Sequence, residues 1–351
     1  MIHAEMPRQS PLTLDVPEDG GDVRLDRWLR RQFPGLTQGR IEKLLRKGAV
    51  RVNGSRAKKS SDRLAGGDRV QVPHDIGEVS ADTASGDGTE PRVPRAPRAP
   101  RPPTPEEERA LEASVLHRDA SVLVLDKAAG LAVQGGTGTT RHLDALLDLF
   151  TRDGSERPRL VHRLDKDTSG VLVLARTLRA AQFLTRAFRN RDTQKIYWAL
   201  VVGVPELEQG TINAPLAKEA AARGERMTIS DDGRAAVTDY RMVDHAGKAA
   251  AWLEMRPRTG RTHQLRVHAT ALGTPILGDG KYAGVGAFLS GDGFARQLHL
   301  HARALSIPHP DGGRLEVTAP VPAHFRASMA ALGFHLSDAP DPFSGWLDTD
   351  L

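Results

Sequence analysis

Apolar residues recur in two regions of the chain, separated by a long polar stretch. In the first region, apolar spacings of three and four predict a helix around Leu25–Leu29 and a second helix over 37–47. Thr37 is a suitable N-cap for the second helix. A strand is expected over 48–54, running into an Asn-Gly turn, and another over 68–72. This order predicts a small α/β module.

The second region consists mainly of apolar runs bounded by turn residues, which predict strands, with two amphipathic segments that predict helices. The strands are expected at 122–125, 171–174, 196–202, 249–255 and 261–267, and the helices at 179–189 and 323–332. Since adjacent strands have few helices between them, the pattern favours an α+β sheet over a doubly wound one. As a strand, 261–267 would place His263 and Arg266 on opposite faces.

Composition shifts divide the chain into five segments. We expect a flexible leader over 1–21, the α/β module over 22–75, a linker over 76–105, a larger domain over 106–335 and a C-terminal tail over 336–351. The linker is acidic at first and then carries proline and arginine at three-residue spacing, which matches polyproline II. It is either a second contact for a polyanion or a semi-rigid spacer.

Positive charge is concentrated in the module. Residues 22–73 carry 14 Lys/Arg against 5 Asp/Glu, a net charge of +9, whereas the whole chain of 351 residues has +5. This concentration indicates a polyanion contact, with a solubilising basic face as the alternative. The candidate phosphate contacts on the second predicted helix are Arg40, Lys43, Arg46 and Lys47. They lie on successive turns and can therefore meet successive phosphates.

Composition also excludes several classes of function. The chain has no cysteine, which excludes disulfides, thiolate catalysis and cysteine-ligated metals. It has neither an apolar run long enough to cross a membrane nor a secretory signal pattern, so we expect a cytoplasmic protein without a membrane partner. The glycine-rich segments 135–140 and 278–282 lack P-loop spacing, and we expect no nucleotide cofactor. A zinc site is also not expected, because its candidates have no fixed ligand spacing: His263, His268, His299 and His301.

Two polar segments contain the candidate chemistry. His162–Gly170 combines carboxylates, cations and hydroxyls directly before an apolar run, although such a loop is also typical of a hydrogen-bonded turn. Asp165 and Asp167 would suit a glycosidase, but residues two apart need not face one substrate. In the second segment, Arg258–His268, an arginine can pair with a buried carboxylate and keep it ionised.

These motifs resemble the RluA-type pseudouridine synthases. HRLDKDTSGVLVLA matches the family signature HRLDxxTSG, and VLVLDKAAGLAVQGG, KIYWALVVG, RTGRTHQLRVHATALGTPILGDGKY and LHLHARALSIPHP occur in the expected order between about 115 and 325. One departure is KAAG at 127–130, where the family has KPAG. The VQGG variant is most similar to the RluC-type branch, which modifies large-subunit ribosomal RNA. With RLDRWL and TQGRIEKLLRKGAVRVNG, the N-terminal module resembles the RNA-binding module of the small-subunit ribosomal protein S-four.

The resemblance implies an α+β catalytic domain with a mixed, mainly antiparallel sheet, which isomerises uridine to pseudouridine in RNA without a cofactor or metal. It implies that Asp165 is the essential carboxylate and that Arg266 holds it charged through a hydrogen bond. It further implies that Tyr197 stacks beside a flipped base and that Arg163 fills the vacated stack.

We therefore expect a monomer that acts on large-subunit ribosomal RNA, either naked or in an assembling ribosomal particle. Three alternatives remain open. The substrate within the same reaction can be transfer RNA, because a fold does not determine its target. The chain can be a non-catalytic assembly factor, although the intact set of Asp165, Tyr197 and Arg266 argues against this. A hydrolase using Asp165 and Asp167 is the third.

Overall fold

The chain divides into two compact units, residues 1–93 and 94–351. The computed structural model describes residues 11–17, 23–57, 59–77, 103–135, 141–151, 154–221 and 224–344. The predicted linker over 76–105 lies, from 78 to 102, outside the described residues. Each unit has its own hydrophobic core, so each is described by itself.

The first unit combines two helices with short strands, as predicted. Its helices are α1 (Leu25–Gln32) and α2 (Gln38–Arg46), and its strands are β1 (Leu12–Asp15), β2 (Val23–Arg24), β3 (Arg51–Val52), β4 (Ser55–Arg56), β5 (Arg63–Leu64) and β6 (Arg69–Val72). The sheet has the order β1-β6-β3-β4, and β2 pairs with β5. The Thr37 hydroxyl accepts a hydrogen bond from the Arg40 amide, which confirms the predicted N-cap.

The predicted leader over 1–21 is wrong in part. Strand β1 pairs antiparallel with β6, and the side chain of Val16 is buried in the core of the unit. Leucine alternates with polar residues along β1, which is a strand pattern. Four residues are too few to identify a strand until a partner edge is known, and only the tertiary structure shows that β6 offers one.

The second unit is built on one mixed sheet. Its strands are β7 (Val115–Arg118), β8 (Val122–Lys127), β9 (Arg159–Leu160), β10 (Ser169–Ala175), β11 (Gln194–Val202), β12 (Gln209–Asn213), β13 (Leu216–Ala221), β14 (Gly224–Ile229), β15 (Val237–Ala246), β16 (Ala250–Pro257), β17 (Leu300–Pro308) and β18 (Arg314–Thr318). Eight of them follow the order β12-β15-β16-β11-β17-β10-β8-β7, with β9 beside β10 and β18 beside β17, while β13 and β14 form a separate hairpin. Strands β10 and β17 run parallel and the other pairs antiparallel, which confirms the predicted fold class.

Helices cover both faces of this sheet. They are α3 (Pro105–Ala113), α4 (Leu143–Leu146), α5 (Leu178–Asn190), α6 (Gln264–Ala271), α7 (Gly280–Ala283) and α8 (Ala323–Leu332). Along β10, the valines pack toward α5 and the leucines toward the segment around α4, which explains a continuous apolar run in place of alternation. None of the described helices is long and apolar enough to cross a membrane.

The predicted strand over 261–267 is wrong, because this segment begins helix α6 at Gln264. Six consecutive residues of the helix, 264–269, are buried. A helix buried on every side shows no apolar stripe of period 3.6, so its short pattern resembled a strand. His263 precedes the helix with a left-handed backbone, φ +53. His263 and Arg266 therefore do not lie on opposite faces of a strand.

The beginning of the predicted C-terminal tail over 336–351 belongs to this unit. The Arg256 guanidinium donates to the carbonyl of Pro342 at 3.0 Å and to that of Ser344 at 3.5 Å. These bonds attach the described end of the chain to strand β16.

Gly170 occupies the tightest point of the sheet, where β10 meets both β8 and β17. Its φ is +106, and an added Cβ would lie 2.2 Å from the carbonyl oxygen of Ala302. Gly312 has nearly the same φ, +108, with nothing within 4 Å of its Cβ position. We expect Gly170→Ala to lower the free energy of unfolding by about 1–3 kcal/mol more than Gly312→Ala, because only the first adds a steric clash. Urea unfolding of both variants measures this, and equal losses would contradict the close approach.

Candidate active site

Asp165 lies in the turn that leads into the central strand β10. The preceding Leu164 is buried in the core, and the Thr168 amide donates to the Asp165 carbonyl at 3.2 Å. About a fifth of the Asp165 side chain is exposed, at 20%. The turn therefore fixes the backbone of Asp165 while its carboxylate faces a cavity.

A buried lysine holds this turn in place. The Lys127 ammonium, at the end of β8, donates to the carbonyls of Ala128, Leu131 and Lys166 at 2.9, 2.9 and 3.0 Å. The Gly130 amide donates to the same Lys166 carbonyl. Burial lowers the pKa of Lys127 to about 8, although the nearby Asp167 and Asp165 charges oppose the shift. The ammonium thus links two loops that are distant in the sequence.

The sheet brings Tyr197 into the same cavity. Ala302 of β17 pairs with Gly170 on one side and with Tyr197 of β11 on the other. Tyr197 is therefore two strands from the start of β10, about 10 Å away. Burial, assisted by the Asp165 charge, raises the pKa of Tyr197 well above its usual value, so the phenol is neutral.

This cavity has a volume of about 480 Å³ and is lined by side chains from the Asp165 turn, β11, the end of α5 and the start of α6. Volumes of this size accommodate small ligands and extruded bases. Arg163 also lines it and is exposed. Asp167 instead lines a neighbouring cavity, with Lys281 and Arg296.

Arg266 lines the cavity, but the predicted hydrogen bond to Asp165 is wrong. The Arg266 guanidinium donates to both carboxylate oxygens of Asp279, from Nε at 2.8 Å and from Nη2 at 2.6 Å. Both side chains are buried. Because 264–271 is a helix and not a strand, the Arg266 side chain is directed to Asp279, directly before α7. The Asp165 charge still acts on Arg266 through space and helps to raise its pKa, although burial opposes the shift.

His263 is the residue whose side chain approaches the Asp165 carboxylate. Its Nε2 lies 3.9 Å from Asp165 Oδ2, and its Nδ1 is 2.7 Å from the Tyr282 hydroxyl. The Tyr282 hydroxyl also accepts a hydrogen bond from the Met227 amide at 3.3 Å, so its contact with Nδ1 holds the imidazole with Nε2 toward Asp165. Burial lowers the pKa of His263, while the Asp165 charge opposes this shift.

His162 shapes the approach to the turn. Its Nε2 accepts a hydrogen bond from the Val173 amide at 2.8 Å, and its ring stacks on Phe188. Burial lowers the pKa of His162 to about 3. These contacts support the interpretation of His162 as a loop-stabilising residue.

The four predicted phosphate contacts lie in the first unit. Lys43 and Arg46 lie on α2, Lys47 is its C-cap, and all three are exposed, whereas Arg40 is half-buried. Ile41 and Leu45 of the same helix face the core, as the helical spacing predicts.

Among the described residues, one group has the composition of a metal site. The side chains of His117, Asp119 and His309 offer ligand atoms within 4.8 Å of one another. Both histidine Nε2 atoms lie within 3.0 Å of one Asp119 oxygen, and the other oxygen accepts from two backbone amides. The group lies near the Ala175 end of β10, away from Asp165, and joins two turns of the sheet.

Two family models match the chain. The model described as RNA pseudouridylate synthase matches residues 121–271, and that of the S4 domain matches residues 23–70. The "Ribosomal large subunit pseudouridine synthase C" of Vibrio cholerae is 33% identical over 91% of this chain and 96% of its own. The "Ribosomal large subunit pseudouridine synthase D" of Xanthomonas campestris is 36% identical over 90% and 91%. The chain belongs to the RNA pseudouridylate synthase family.

A solved structure agrees with this assignment. "Human RNA Pseudouridylate Synthase Domain Containing 4" superposes with a TM-score of 0.55 at 30% identity, over 64% of this chain and 95% of that one. The protein is accordingly an RNA pseudouridine synthase with an RNA-binding S4 domain at its N-terminus. The resemblances stated from the sequence are confirmed.

Sequence reasoning missed three residues of this synthase's site: Lys127, His263 and Asp279. In the sequence, Lys127 stands out only as part of KAAG, and Asp279 only in a segment without P-loop spacing. His263 stands out only as a residue of the predicted strand and as a zinc candidate. The available signal was Asp279 within GDGKY, an acidic residue that no motif explained. A buried arginine is costly without a partner, and a carboxylate such as Asp279 can supply one.

The buried Arg266–Asp279 ion pair leads to a prediction about the stability of the protein. We expect Arg266→Met and Asp279→Asn each to lower the free energy of unfolding by about 3–5 kcal/mol, because each leaves a buried group without its partner. The double variant should lose less than the sum, with a coupling of about 1–3 kcal/mol measured by urea unfolding. Losses that add to within about 0.5 kcal/mol would show that the two side chains are not partners.

Proposed function

We propose that this synthase isomerises uridines to pseudouridine in large-subunit ribosomal RNA, with Asp165 as the essential carboxylate and without a cofactor. The observation that carries the proposal is the Asp165 carboxylate, which faces a cavity of about 480 Å³ together with the neutral phenol of Tyr197. The large-subunit substrate is supported by the C-type and D-type relatives, which match at similar identity.

The reaction needs no imported group. The bond from uracil N1 to ribose C1′ breaks, the uracil rotates in the cavity, and a bond forms from uracil C5 to C1′. The C5 hydrogen then leaves as a proton and N1 takes up a proton, so that the product is an isomer of uridine. Asp165 promotes the first step, either by attacking C1′ or by favouring loss of uracil to a glycal. Both routes need an ionised carboxylate held against the ribose, which the anchored turn provides.

The remaining residues retain the base. A target uridine inside folded RNA is flipped out at a cost of a few kcal/mol, and we expect Arg163, which is exposed and lines the cavity, to fill the vacated stack. Tyr197 provides an aromatic face, and stacking on such a face is worth about 1–3 kcal/mol per base. Arg266, held by Asp279, adds positive charge near Asp165.

We propose that the protein acts as a monomer on naked RNA or on an assembling ribosomal particle, because Asp165, Tyr197 and Arg266 of a single chain already meet in the cavity. The two-carboxylate hydrolase is disfavoured, because Asp167 lines a different cavity from Asp165. A non-catalytic assembly factor has no need for the combined Asp165, Tyr197 and Arg266 arrangement.

Release of tritium from carbon 5 of labelled uracil tests the reaction, because that hydrogen leaves when the carbon becomes the glycosidic atom. Unmodified large-subunit ribosomal RNA should release tritium with the wild-type chain. Asp165→Asn should lower the rate at least about 1,000-fold while binding RNA normally. Asp167→Asn is the matched control and should retain activity.

Each alternative has its own outcome. Release from transfer RNA alone would preserve the reaction and overturn the ribosomal substrate. Formation of free uracil without tritium release, lost in Asp167→Asn as well as in Asp165→Asn, would favour the hydrolase. Tight binding without any release would favour the assembly factor, and normal turnover by folded Asp165→Asn would remove Asp165 from its role.

The exposed cations of α2 predict a salt effect. Replacing Lys43, Arg46 and Lys47 together by Gln should lower the slope of log Kd against log salt by about 2–3, because each phosphate contact contributes about 0.7–0.9. The turnover of saturated enzyme should change little, since these residues lie in a separate unit from Asp165. Filter binding over a range of KCl concentrations measures the slope.

A triple variant of the second unit serves as the control for net charge. Arg179, Lys248 and Arg326 are exposed and do not line the cavity, and their replacement by Gln makes the same change in charge. Equal slopes for the two triple variants would show that α2 makes no specific phosphate contacts.

A further inference from the structure

Lys195 is a second lysine of the site, half-buried, and the mechanism above does not use it. It precedes Tyr197 by two residues on β11, so both side chains leave the same face of the strand. Both line the cavity that contains Asp165.

The contacts of Lys195 differ from those of Lys127. Burial lowers the pKa of both lysines to about 8, but the Lys127 ammonium is saturated by three carbonyls. Within the described parts of the chain, the one hydrogen bond of the Lys195 ammonium is a long contact of 3.5 Å to the Thr259 carbonyl, and it has no carboxylate partner. A half-buried ammonium whose one acceptor is a long contact is poorly compensated, so an anion that enters the cavity gains from meeting it.

The surroundings of Lys195 are cationic. The charge of Arg191 adds to burial in lowering the pKa of Lys195, and Arg261 feels the same charge. His162, also beside it, is neutral at physiological pH because burial lowers its pKa to about 3. Among the described residues that line the cavity, Asp165 is the sole acid. The cations of the lining are Arg163, Arg189, Arg191, Lys195, Arg258, Arg261 and Arg266.

We propose that Lys195, with Arg191 and Arg261, binds a backbone phosphate of the RNA beside the flipped nucleotide. The inference rests on the proposed function, because it assigns a part of that substrate to a part of the cavity. A phosphate supplies a negative charge and several acceptors, whereas the described residues offer Lys195 no carboxylate and one long carbonyl contact. A neutral uracil carbonyl would supply one acceptor and would gain little from the neighbouring guanidinium groups.

This contact fixes the orientation of the nucleotide. With the phosphate at the Lys195 end, the attached ribose lies between it and Asp165, and the base lies against Tyr197. The detached uracil can then turn while the sugar–phosphate chain stays held. Lys195 is therefore a substrate-binding residue, distinct from the groups that act on the glycosidic bond.

The test compares Lys195→Gln and Lys195→Met with Lys248→Gln, which removes an exposed lysine far from the cavity lining. Binding to a large-subunit ribosomal RNA transcript is measured in the full chain carrying Asp165→Asn, so that turnover does not interfere. Loss of one charged contact should weaken binding about tenfold at pH 7. It should also lower the slope of log Kd against log KCl by about 0.7–0.9. Lys248→Gln should change neither.

Turnover separates binding from chemistry. With Asp165 intact, the Lys195 variants should raise KM about tenfold and change kcat less than about threefold, which is the pattern for lost uniform binding. Lys195→Arg should recover part of the affinity, because it restores the charge. Circular dichroism confirms that the variants fold. An unchanged Kd and slope in folded variants would overturn the proposal, and so would a large fall in kcat at unchanged Kd.

A substitution in the RNA tests the same contact without changing the protein. Neutral methylphosphonate linkages are placed one at a time around the uridine that the wild-type chain modifies, in a synthetic hairpin. One linkage should weaken wild-type binding and leave Lys195→Gln unaffected, whereas equal effects on both proteins at every linkage would refute the assignment. A failure of the proposed function is distinguishable: absent tritium release with a Lys195-dependent salt slope removes the reaction and keeps the phosphate site.

Discussion

The buried ammonium of Lys127 is the constraint on which the site depends. Its three carbonyl acceptors lie on two loops, and one of them, Lys166, belongs to the turn that presents Asp165. An uncompensated ammonium at this depth would be unstable, so both loops must keep their positions for the charge to be satisfied. The same interaction that stabilises the fold therefore positions the Asp165 carboxylate.

The sheet then decides what faces that carboxylate. Gly170 allows β10 to approach β17 closely, and Ala302 of β17 pairs with both Gly170 and Tyr197. Helix α6 packs beside β11 and adds Arg266 and, just before its first turn, His263. Three segments that are distant in the sequence thus meet at one end of the strands. The turn contributes Asp165, strand β11 contributes Tyr197, and the segment of α6 contributes Arg266 and His263.

The cations of this site differ in the partners that compensate their charge. Arg266 is paired with Asp279, and Lys127 is satisfied by backbone carbonyls. Lys195 has neither kind of partner in the described structure, beyond one long contact. This difference separates cations that hold the fold from one that is available to a substrate. A cavity lined by several cations and a single carboxylate suits a nucleic acid in its overall charge.

Local signals in the sequence determined many of the helices, turns and strands of this protein. Capping by Thr37, the Asn-Gly turn and the apolar runs of β8 and β10 depend on neighbouring residues, so the sequence predicted them correctly. The motif HRLDKDTSG identified the family, because chemistry constrains that short segment directly. The partner of Arg266, the approach of His263 to Asp165 and the pairing of β1 were decided by the tertiary structure alone. Each depends on which distant surface a segment meets, and burial on every side erases the periodicity that would otherwise reveal it.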